Sequence, residues 1–510
     1  MSTYAIGVDI GTTSMKAVLF TKNGKSICET SVDYPMYHPE PQASEQDPDE
    51  ILLAVITSIQ RLLKESKAGK EAIRFISFSA AMHSLIAVDA LGKPLTPSII
   101  WADQRSEPYA AKLKETNGLS IYRNTGTPIH PMSPLAKLMW LKEEKPELFK
   151  SAHRFIGIKE YVMYHLFGRF VVDYSIASAT GLFNMHTLSW DKEALETAGI
   201  TEDRLSDLVP TTEVLTGMVK SYADDMGISS ETPVVIGAND GCLANLGVNA
   251  IEEGVVAVTI GTSGAIRTVT DKPVTDEKGR IFCYALTENH WVIGGPVNSG
   301  GMILRWLRDE LGQEEVRKAE ELGVNAYDLM TEKMTEIKAG SDGLLFHPYL
   351  SGERAPSWNA NARGSFFGLA MHHKREHMLR AVLEGINMNL YTVLLALEER
   401  IGRPAKVHAT GGFVKSDVWV QMMADVFDQE VHVPETVESA CLGAAVLGWY
   451  ALGEIDDLIE VKNMVQTKTI TKPDPSSVAI YNDLLPIFIR LSRLFEKEYD
   501  SLTAFQEKYK

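Results

Sequence analysis

The 510-residue chain lacks an excess of positive charge. It contains 50 lysine and arginine residues against 67 aspartate and glutamate residues, and its formal net charge is −17. Proteins that bind nucleic acid need a basic face to neutralise backbone phosphates, so this charge argues against nucleic acid as a partner. It does not exclude a small anionic ligand, because the field at a binding site is set locally.

Cysteines and long apolar runs are also scarce. The four cysteines stand far apart without a CxxC pair, which favours free thiols in a reducing cytoplasm over disulfides or a zinc site. No run approaches the ~18 apolar residues of a membrane span, and the chain opens on a strand pattern rather than a leader peptide. We therefore predict a cytoplasmic protein without a membrane partner.

The two commonest phosphate-binding signatures, GxxxxGK[ST] and GxGxxG, are missing. Short glycine turns at the ends of predicted strands stand in their place, and two of them repeat. Aligning Val8–Phe20 with Val258–Thr270 pairs Val8 with Val258, Ile10 with Ile260, Gly11 with Gly261 and Thr12 with Thr262. Such turns bring backbone N–H groups close to phosphate, because glycine has no Cβ.

The repeat predicts two related halves, and two short turns that coincide by chance are the alternative. The chain length also predicts two large domains, which we place at 1–247 and 248–510 with a hinge near Asn245 to Glu253. Within the matched run from Val8 to Thr12 the repeat differs at one position, where Asp9 stands opposite Thr259. A single extra carboxylate beside a phosphate would suit Mg²⁺, which prefers oxygen ligands.

Asp240 is the candidate general base. It follows the apolar strand Val234–Ile236 and comes one element before the second repeated turn. A carboxylate at such a strand end can accept the proton of an attacking hydroxyl. The alternative is that Asp240 only caps the helix that follows it.

Two other strand ends are candidates for substrate contacts, because open α/β sheets bind ligands there. One carries Met82 and His83, and the other carries Trp101 to Arg105. The alternatives are a buried histidine with satisfied hydrogen bonds, a core indole and an ordinary salt bridge.

Two longer patterns are more specific than any glycine turn. Met132–Glu144 (MSPLAKLMWLKEE) and Gly364–Glu384 (GSFFGLAMHHKREHMLRAVLE) resemble the two signatures of the FGGY carbohydrate kinases. The segments AMHS, WADQRS and GTPIHPMSP are similar to the gluconate branch of that family, and Ala102 departs from the xylulose pattern. The resemblance implies an α/β fold of two actin-like ATPase (ribonuclease H-like) domains facing a central cleft, with ATP and Mg²⁺ as cofactors.

The resemblance also implies roles for individual residues. It implies that Asp9 binds Mg²⁺, that Asp240 is the catalytic base, and that the polyol pocket is lined by Met82, His83, Trp101 and Asp103. The two phosphate motifs are Gly11, Thr12 and Thr13 in the first half and Gly261, Thr262 and Ser263 in the second. The nucleotide-side turn is at Gly301, and the adenosine motif consists of Gly411, Gly412 and Ser416. A buried substrate carboxylate needs a positive or donor-rich partner. We assign it to Arg105, with His83 and His130 as weaker candidates and a salt bridge from Arg105 to Asp103 or Glu107 as the alternative.

The expected reaction is ATP-dependent phosphorylation of D-gluconate to 6-phospho-D-gluconate in carbohydrate catabolism. The nearest alternative is a xylulose kinase or another polyol kinase of the same family. An alternative of a different class is an actin-fold nucleotide switch without sugar chemistry. The resemblance leaves a homodimer open.

Overall fold

A computed structural model describes residues 3–435 and 438–509 of the chain. The strands are β1 (Tyr4–Ile10), β2 (Ser14–Thr21), β3 (Ser26–Asp33), β4 (Glu45–Gln46), β5 (Ile73–Ala80), β6 (Ile86–Val88), β7 (Ser98–Ile99), β8 (Arg154–Ile156), β9 (Val171–Asp173), β10 (Phe183–Asn184), β11 (Ser189–Trp190), β12 (Asp207–Val209), β13 (Val214–Leu215), β14 (Val234–Asn239), β15 (Val255–Ile260), β16 (Gly264–Thr270), β17 (Phe282–Thr287), β18 (His290–Val297), β19 (Leu345–His347), β20 (Ser365–Phe367), β21 (Lys406–Gly411), β22 (Val431–Pro434) and β23 (Thr467–Thr471).

The α-helices are α1 (Pro48–Ser66), α2 (Glu107–Glu115), α3 (Gly118–Thr125), α4 (Pro134–Glu144), α5 (Pro146–Ser151), α6 (Ile158–Phe167), α7 (Tyr174–Ser178), α8 (Lys192–Ala198), α9 (Lys220–Met226), α10 (Asp240–Gly247), α11 (Gly301–Glu310), α12 (Gln313–Leu322), α13 (Ala326–Thr335), α14 (Arg375–Ile401), α15 (Asp417–Phe427), α16 (Ser439–Ala451) and α17 (Pro475–Lys508). Short 3₁₀ turns lie at Lys70–Ala72, Glu202–Arg204, Ser341–Gly343, Gly412–Lys415 and Leu458–Asn463.

Helix starts show how local signals set these boundaries. Asp47 caps α1 by accepting from two backbone N–H groups, and Pro48 is the first helical residue. Asp474 and Pro475 begin α17 in the same way.

The chain forms two compact units that are discontinuous in sequence. The first comprises residues 1–252, 269–293 and 438–466, and the second comprises 253–268, 294–437 and 467–510. The predicted boundary between residues 247 and 248 lies near the first change of unit, but two later segments return to the first unit. One of them contains α16, which packs against β1, β5 and α10. A Cβ on Gly443 of α16 would lie 2.0 Å from the carbonyl oxygen of Leu243, so the two helices approach backbone to backbone.

Each unit is built around a mixed sheet. The six-stranded sheet of the first unit has the order β13-β14-β5-β1-β2-β3, in which β1 pairs antiparallel with β2 and parallel with β5. In the second unit the order β16-β15-β21-β22-β23 repeats this arrangement, since β15 pairs antiparallel with β16 and parallel with β21. The predicted internal repeat is therefore confirmed at the level of strand pairing.

The four cysteines are free thiols, and three of them are buried. Within residues 3–435 and 438–509, none of the helices has the length and apolar character that crossing a membrane requires.

Candidate active site

Asp9 lies near the end of β1, in register with Ser79 of β5. The Ser79 hydroxyl donates to Oδ1 of Asp9 at 2.7 Å. Burial and, to a smaller extent, the neighbouring Asp240 carboxylate raise the pKa of Asp9 to about 6. The hydrogen bond from Ser79 acts in the opposite direction. Asp9 and Asp240 therefore lie close enough to feel each other's charge.

Asp240 is the first residue of α10 rather than its cap. Asn239 occupies the cap position, where its side chain accepts from the backbone N–H of Cys242 at 2.8 Å. The alternative that Asp240 serves as the helix cap is thus wrong. Its Oδ1 accepts from the N–H of Gly241 at 2.6 Å, at the positive end of the helix dipole.

The Asp9–Asp240 pair fits a Mg²⁺ ion in its chemistry. Carboxylate oxygens are the ligands that Mg²⁺ prefers, and a cation would relieve the repulsion that raises the pKa of Asp9. Across the described residues there is no group of three or more His, Cys, Asp or Glu side chains that could hold a metal ion. Mg²⁺ usually keeps several waters and takes one or two carboxylates together with substrate phosphates, so two carboxylates are sufficient.

The first repeated turn is held by hydrogen bonds to its carbonyl groups. The carbonyl of Gly11 accepts from the Tyr34 hydroxyl, that of Thr12 accepts from Nε2 of Gln46 at 2.6 Å, and that of Thr13 accepts from the Tyr34 N–H at 3.2 Å. Gly11, Thr12 and Thr13 thus form one turn whose carbonyl groups are bound by protein donors, and their role in phosphate binding stays a prediction.

The second repeated turn is joined to the start of α11. The N–H of Gly301 donates to the carbonyl of Gly261 at 2.8 Å, and the N–H of Met302 donates to that of Thr262 at 2.9 Å. A Cβ on Gly301 would lie 2.5 Å from the Gly261 carbonyl oxygen, so only glycine allows this approach. Gly301 therefore lies beside the second repeated turn, and its assignment to the nucleotide stays a prediction.

A cavity of about 290 Å³ lies within the second unit, between the second repeated turn, the start of α11 and the start of α15. Five predicted nucleotide residues line it: Gly261, Thr262, Gly301, Gly412 and Ser416. At Gly261 and Gly412 an added Cβ would meet no protein atom within 4 Å, so both positions face open space. Ser263 and Gly411 adjoin these residues in the chain but do not line the cavity.

Several cavity residues carried no signal in the sequence. Asn325, Tyr327, Asp328 and Thr331 belong to α13 or precede it, and they line the cavity with Arg305 of α11. No glycine turn or motif marks α13, and only its packing brings it to this site.

A buried carboxylate that the sequence did not single out supports the turn before Gly301. Glu353 accepts from the N–H of Asn298 at 2.5 Å, from the hydroxyl of Ser299 at 2.6 Å and from Nδ2 of Asn389 at 2.7 Å. Burial raises its pKa. Glu353 thereby fixes the backbone that leads into α11.

On the predicted substrate side, Met82 and Trp101 lie beside the first repeated turn. Both line a small cavity with Gly11 and Thr12, and Nε1 of Trp101 donates to the Thr12 hydroxyl at 3.0 Å. The alternative that Trp101 is a core indole therefore loses support. The structure brings these two predicted residues together with the phosphate turn.

The two predicted histidines are mostly buried. His83 is 8% exposed, has a backbone φ of 70°, and donates from Nδ1 to the carbonyl of Ala179 at 2.7 Å. His130 is 6% exposed, and its Nδ1 accepts from the N–H of Met132 at 3.1 Å. These bonds fix the orientation of both rings.

Arg105 does not match its predicted role as the carboxylate-binding residue. Its guanidinium bonds to Asp103 at 2.7 Å, to Glu45 at 2.5 Å and to Glu40 at 3.3 Å, and it stacks over the Trp140 ring at 4.6 Å. Three carboxylates around one guanidinium leave little positive field for a fourth. The structure favours the alternative of an internal salt bridge, with Asp103 rather than Glu107 as a partner.

Asp103 is likewise engaged by the protein. It is 1% exposed and accepts from the N–H of Ser44 at 2.9 Å as well as from Arg105. Asp103 was predicted to line the polyol pocket, but protein donors already bind both of its carboxylate oxygens. Its role is therefore structural.

Lys137 connects the two substrate-side strand ends, a role that its match to the first signature did not reveal. Its ammonium group donates to the carbonyls of His83 at 2.6 Å, Ile99 at 3.1 Å and Ile100 at 2.8 Å. Burial lowers the pKa of Lys137 to about 7. Three carbonyl acceptors require all three ammonium hydrogens, so this geometry favours the charged form.

Comparison with known proteins identifies the family of the chain. Models of the FGGY family of carbohydrate kinases match the chain, the N-terminal domain over residues 4–247 and the C-terminal domain over residues 256–452. The gluconokinase of Bacillus subtilis (strain 168) is 56% identical over 508 residues, which cover 99% of each chain. The xylulose kinase of the same strain is 29% identical over 488 residues, covering 95% of this chain and 96% of the relative.

Solved structures give the same family. A gluconate kinase from Lactobacillus acidophilus superposes with a TM-score of 0.93 at 38% identity, covering 98% of this chain and 100% of that chain. A ligand-bound xylulose kinase from the same species has the same TM-score, identity and coverage. These likenesses confirm the predicted α/β fold of the actin-like ATPase type.

Proposed function

Because the chain belongs to the FGGY family of carbohydrate kinases, we propose that it transfers the γ-phosphoryl group of ATP to D-gluconate, forming 6-phospho-D-gluconate and ADP. The observation that carries this proposal is the identity to a Bacillus gluconokinase over nearly the whole chain, well above that to the xylulose kinase of the same strain.

Asp240 is the general base in this proposal. Its carboxylate accepts the proton of the terminal hydroxyl as the new oxygen–phosphorus bond forms and the bond to ADP breaks. Its place at the first position of α10 supports this role, since capping is left to Asn239. Asp9 would hold Mg²⁺, which would supply positive charge against the charge of the transferring group.

The nucleotide is assigned to the second unit. Thr262 and Ser263 would bind phosphate through backbone N–H groups, and Gly261, whose own N–H donates to the Ser263 carbonyl, would let the phosphate approach because it has no Cβ. The cavity beside Gly412 and Ser416 would receive the adenosine. The adjoining Gly411 and the turn at Gly301 complete this assignment. The glycine positions that face open space support it.

The sugar acid is assigned to the first unit, at Met82, His83, Trp101 and His130. Trp101 and Met82 provide apolar surface beside the first turn, and the two histidines provide ring nitrogens of fixed orientation. With Arg105 engaged by three carboxylates, His83 and His130 become the leading candidates for the gluconate carboxylate.

Xylulose remains the second candidate, because a xylulose kinase structure is as similar to this chain as a gluconate kinase structure. We also propose a cytoplasmic location, where ATP is available and the free thiols stay reduced. A homodimer is the remaining element of the proposal, and light scattering at several protein concentrations would test it.

The test is ADP formation with ATP and Mg²⁺ in the presence of gluconate, xylulose, glycerol or no acceptor. We expect kcat/KM for gluconate to exceed that for xylulose by about tenfold or more, a difference of ~1.4 kcal/mol in transition-state binding. A preference for xylulose would show that the protein is a kinase whose substrate is xylulose rather than gluconate. ADP release that no acceptor accelerates would instead indicate a nucleotide switch.

A further inference from the structure

The strand that leads to Asp240 is irregular just before it ends. Its pairing with β5 steps from Val235–Ser77 to Ala238–Ser79, so two residues of β14 stand opposite one residue of β5. Gly237, within this bulge, has a φ of 74°. A β-bulge redirects the strand that follows it, and here that strand end delivers Asp240.

One buried lysine binds both carbonyl groups that flank the bulge, whose N–H groups at Ile236 and Gly237 donate to the carbonyls of Glu213 and Thr211. The ammonium group of Lys159 in α6 donates to the carbonyls of Ile236 at 3.1 Å and Ala238 at 3.0 Å, on either side of Gly237. It also pairs with Asp173 at 2.7 Å. Lys159 and Asp173 are 2% and 1% exposed, so water does not compete for these bonds.

The partner carboxylate is fixed in turn. The second oxygen of Asp173 caps α7 by accepting from the N–H of Ile176 at 2.9 Å. In the same helix, the Ser175 hydroxyl accepts from the N–H of Asn239 at 3.1 Å and from its side-chain amide at 2.9 Å. Asn239 directly precedes Asp240, so both sides of the bulge are tied to one polar network.

We propose that Lys159 and Asp173 are positioning residues that aim the Asp240 carboxylate. This inference rests on the proposed function, in which Asp240 is the base. Removing the ammonium group leaves two bulge carbonyls and a buried carboxylate without their donor. The bulge then relaxes, and Asp240 turns away from the hydroxyl that it deprotonates.

The expected effect falls on kcat. A displacement of about 1 Å at a reacting group can cost about 10²-fold in rate. We expect Lys159→Met to lower kcat by about 10- to 100-fold while the KM values for ATP and gluconate change by no more than about threefold. Asp173→Asn keeps the oxygen that caps α7 and serves as the second variant, with a loss in the same direction.

The control is another buried ion pair. Arg380 and Glu384 pair at 2.7 Å within α14 and are 9% and 1% exposed, and their bonds do not involve the strand that carries Asp240. Arg380→Met should lower the melting temperature comparably and leave kcat at temperatures below melting within about threefold of the wild type, because its cost is one of folding.

A double-mutant cycle separates positioning from general damage. If Lys159 acts through Asp240, adding Lys159→Met to Asp240→Asn should change kcat by less than about twofold, because the group it aims is already absent. An equal fold-loss in both backgrounds, or wild-type kcat in both folded single variants, would overturn the inference. Should Asp240→Asn itself keep more than about a tenth of wild-type kcat, the base assignment of the proposed function fails instead.

Discussion

The two repeated hairpins have the same strand pairing and differ in the charge of one side chain next to the turn. In the first unit Asp9 stands in register with Ser79 of the neighbouring parallel strand, and the Ser79 hydroxyl lies 2.7 Å from Oδ1 of Asp9. In the second unit Thr259 stands at the equivalent position, in register with Thr410, and the two hydroxyl oxygens are 3.1 Å apart. Each turn also closes with a bond from its glycine N–H, from Gly11 or from Gly261.

This single difference separates two kinds of binding chemistry. The first hairpin brings a carboxylate near Asp240, an arrangement suited to a cation and to proton transfer. The second hairpin has a neutral hydroxyl pair at that position and presents a glycine that faces open space. A neutral turn accepts the charge of a nucleotide phosphate without repulsion.

Removing the carboxylate of the first hairpin should produce the largest change. Asp9→Asn keeps the size of the side chain and an acceptor for Ser79 but loses the charge that would hold Mg²⁺. We expect the Mg²⁺ concentration for half-maximal activity to rise by about 10- to 100-fold, in the range seen when metal sites lose supporting groups. Ser79→Ala, which leaves the charge in place, is the control. An unchanged Mg²⁺ dependence in Asp9→Asn would remove the first hairpin from the metal site.

A smaller effect is expected from filling the open space at the second hairpin. A Cβ at Gly261 meets no protein atom within 4 Å, so Gly261→Val should fold normally and obstruct only the ligand. We expect the Kd for ATP, measured by calorimetry, to rise by about tenfold or more, which corresponds to ~1.4 kcal/mol.

The matched control for Gly261→Val is Gly69→Val, because Gly69 is equally unobstructed and lies outside both turns. This control should bind ATP as the wild type does. If both variants bind ATP equally well, the second turn does not cradle the nucleotide.

Local signals in the sequence were sufficient to predict these hairpins. Each turn combines a strand pattern with glycine and threonine, and the helix that follows the first hairpin begins at an Asp–Pro pair that sets its own boundary. Asp240 became a candidate for a similar reason, since it follows the end of a predicted strand, and its catalytic role stays a prediction. Features of this kind depend on residues that are neighbours in the chain.

The supporting contacts could not be predicted, because they join residues far apart in sequence. Lys137 donates to the carbonyls of His83 and Ile100, and Lys159 of α6 donates to a carbonyl in the bulge of β14. Neither lysine looks different from a surface lysine in the sequence. Arg105 shows the same difference between local and distant contacts. Its partner Asp103, two residues away, was foreseen, but its partner Glu45, sixty residues away, was not.

The return of two later segments to the first unit was not predicted. The pattern of α16 shows a helix that is apolar on all sides and therefore buried, but a buried helix does not reveal which sheet covers it. Its small residues allow close approach to β1 and α10, so it joins the first unit although it follows most of the second in sequence.

The most direct test of the division of chemistry is to give the second hairpin the charge of the first. Thr259→Asp introduces a carboxylate at the phosphate turn, and Thr259→Asn introduces a neutral side chain of the same shape. The measurement is the Kd for ATP by calorimetry, without divalent cations. Because like charges brought together cost up to several kcal/mol, we expect Thr259→Asp to bind ATP about tenfold or more weakly than Thr259→Asn. Equal affinities in the two variants would contradict the assignment of the nucleotide phosphates to this turn.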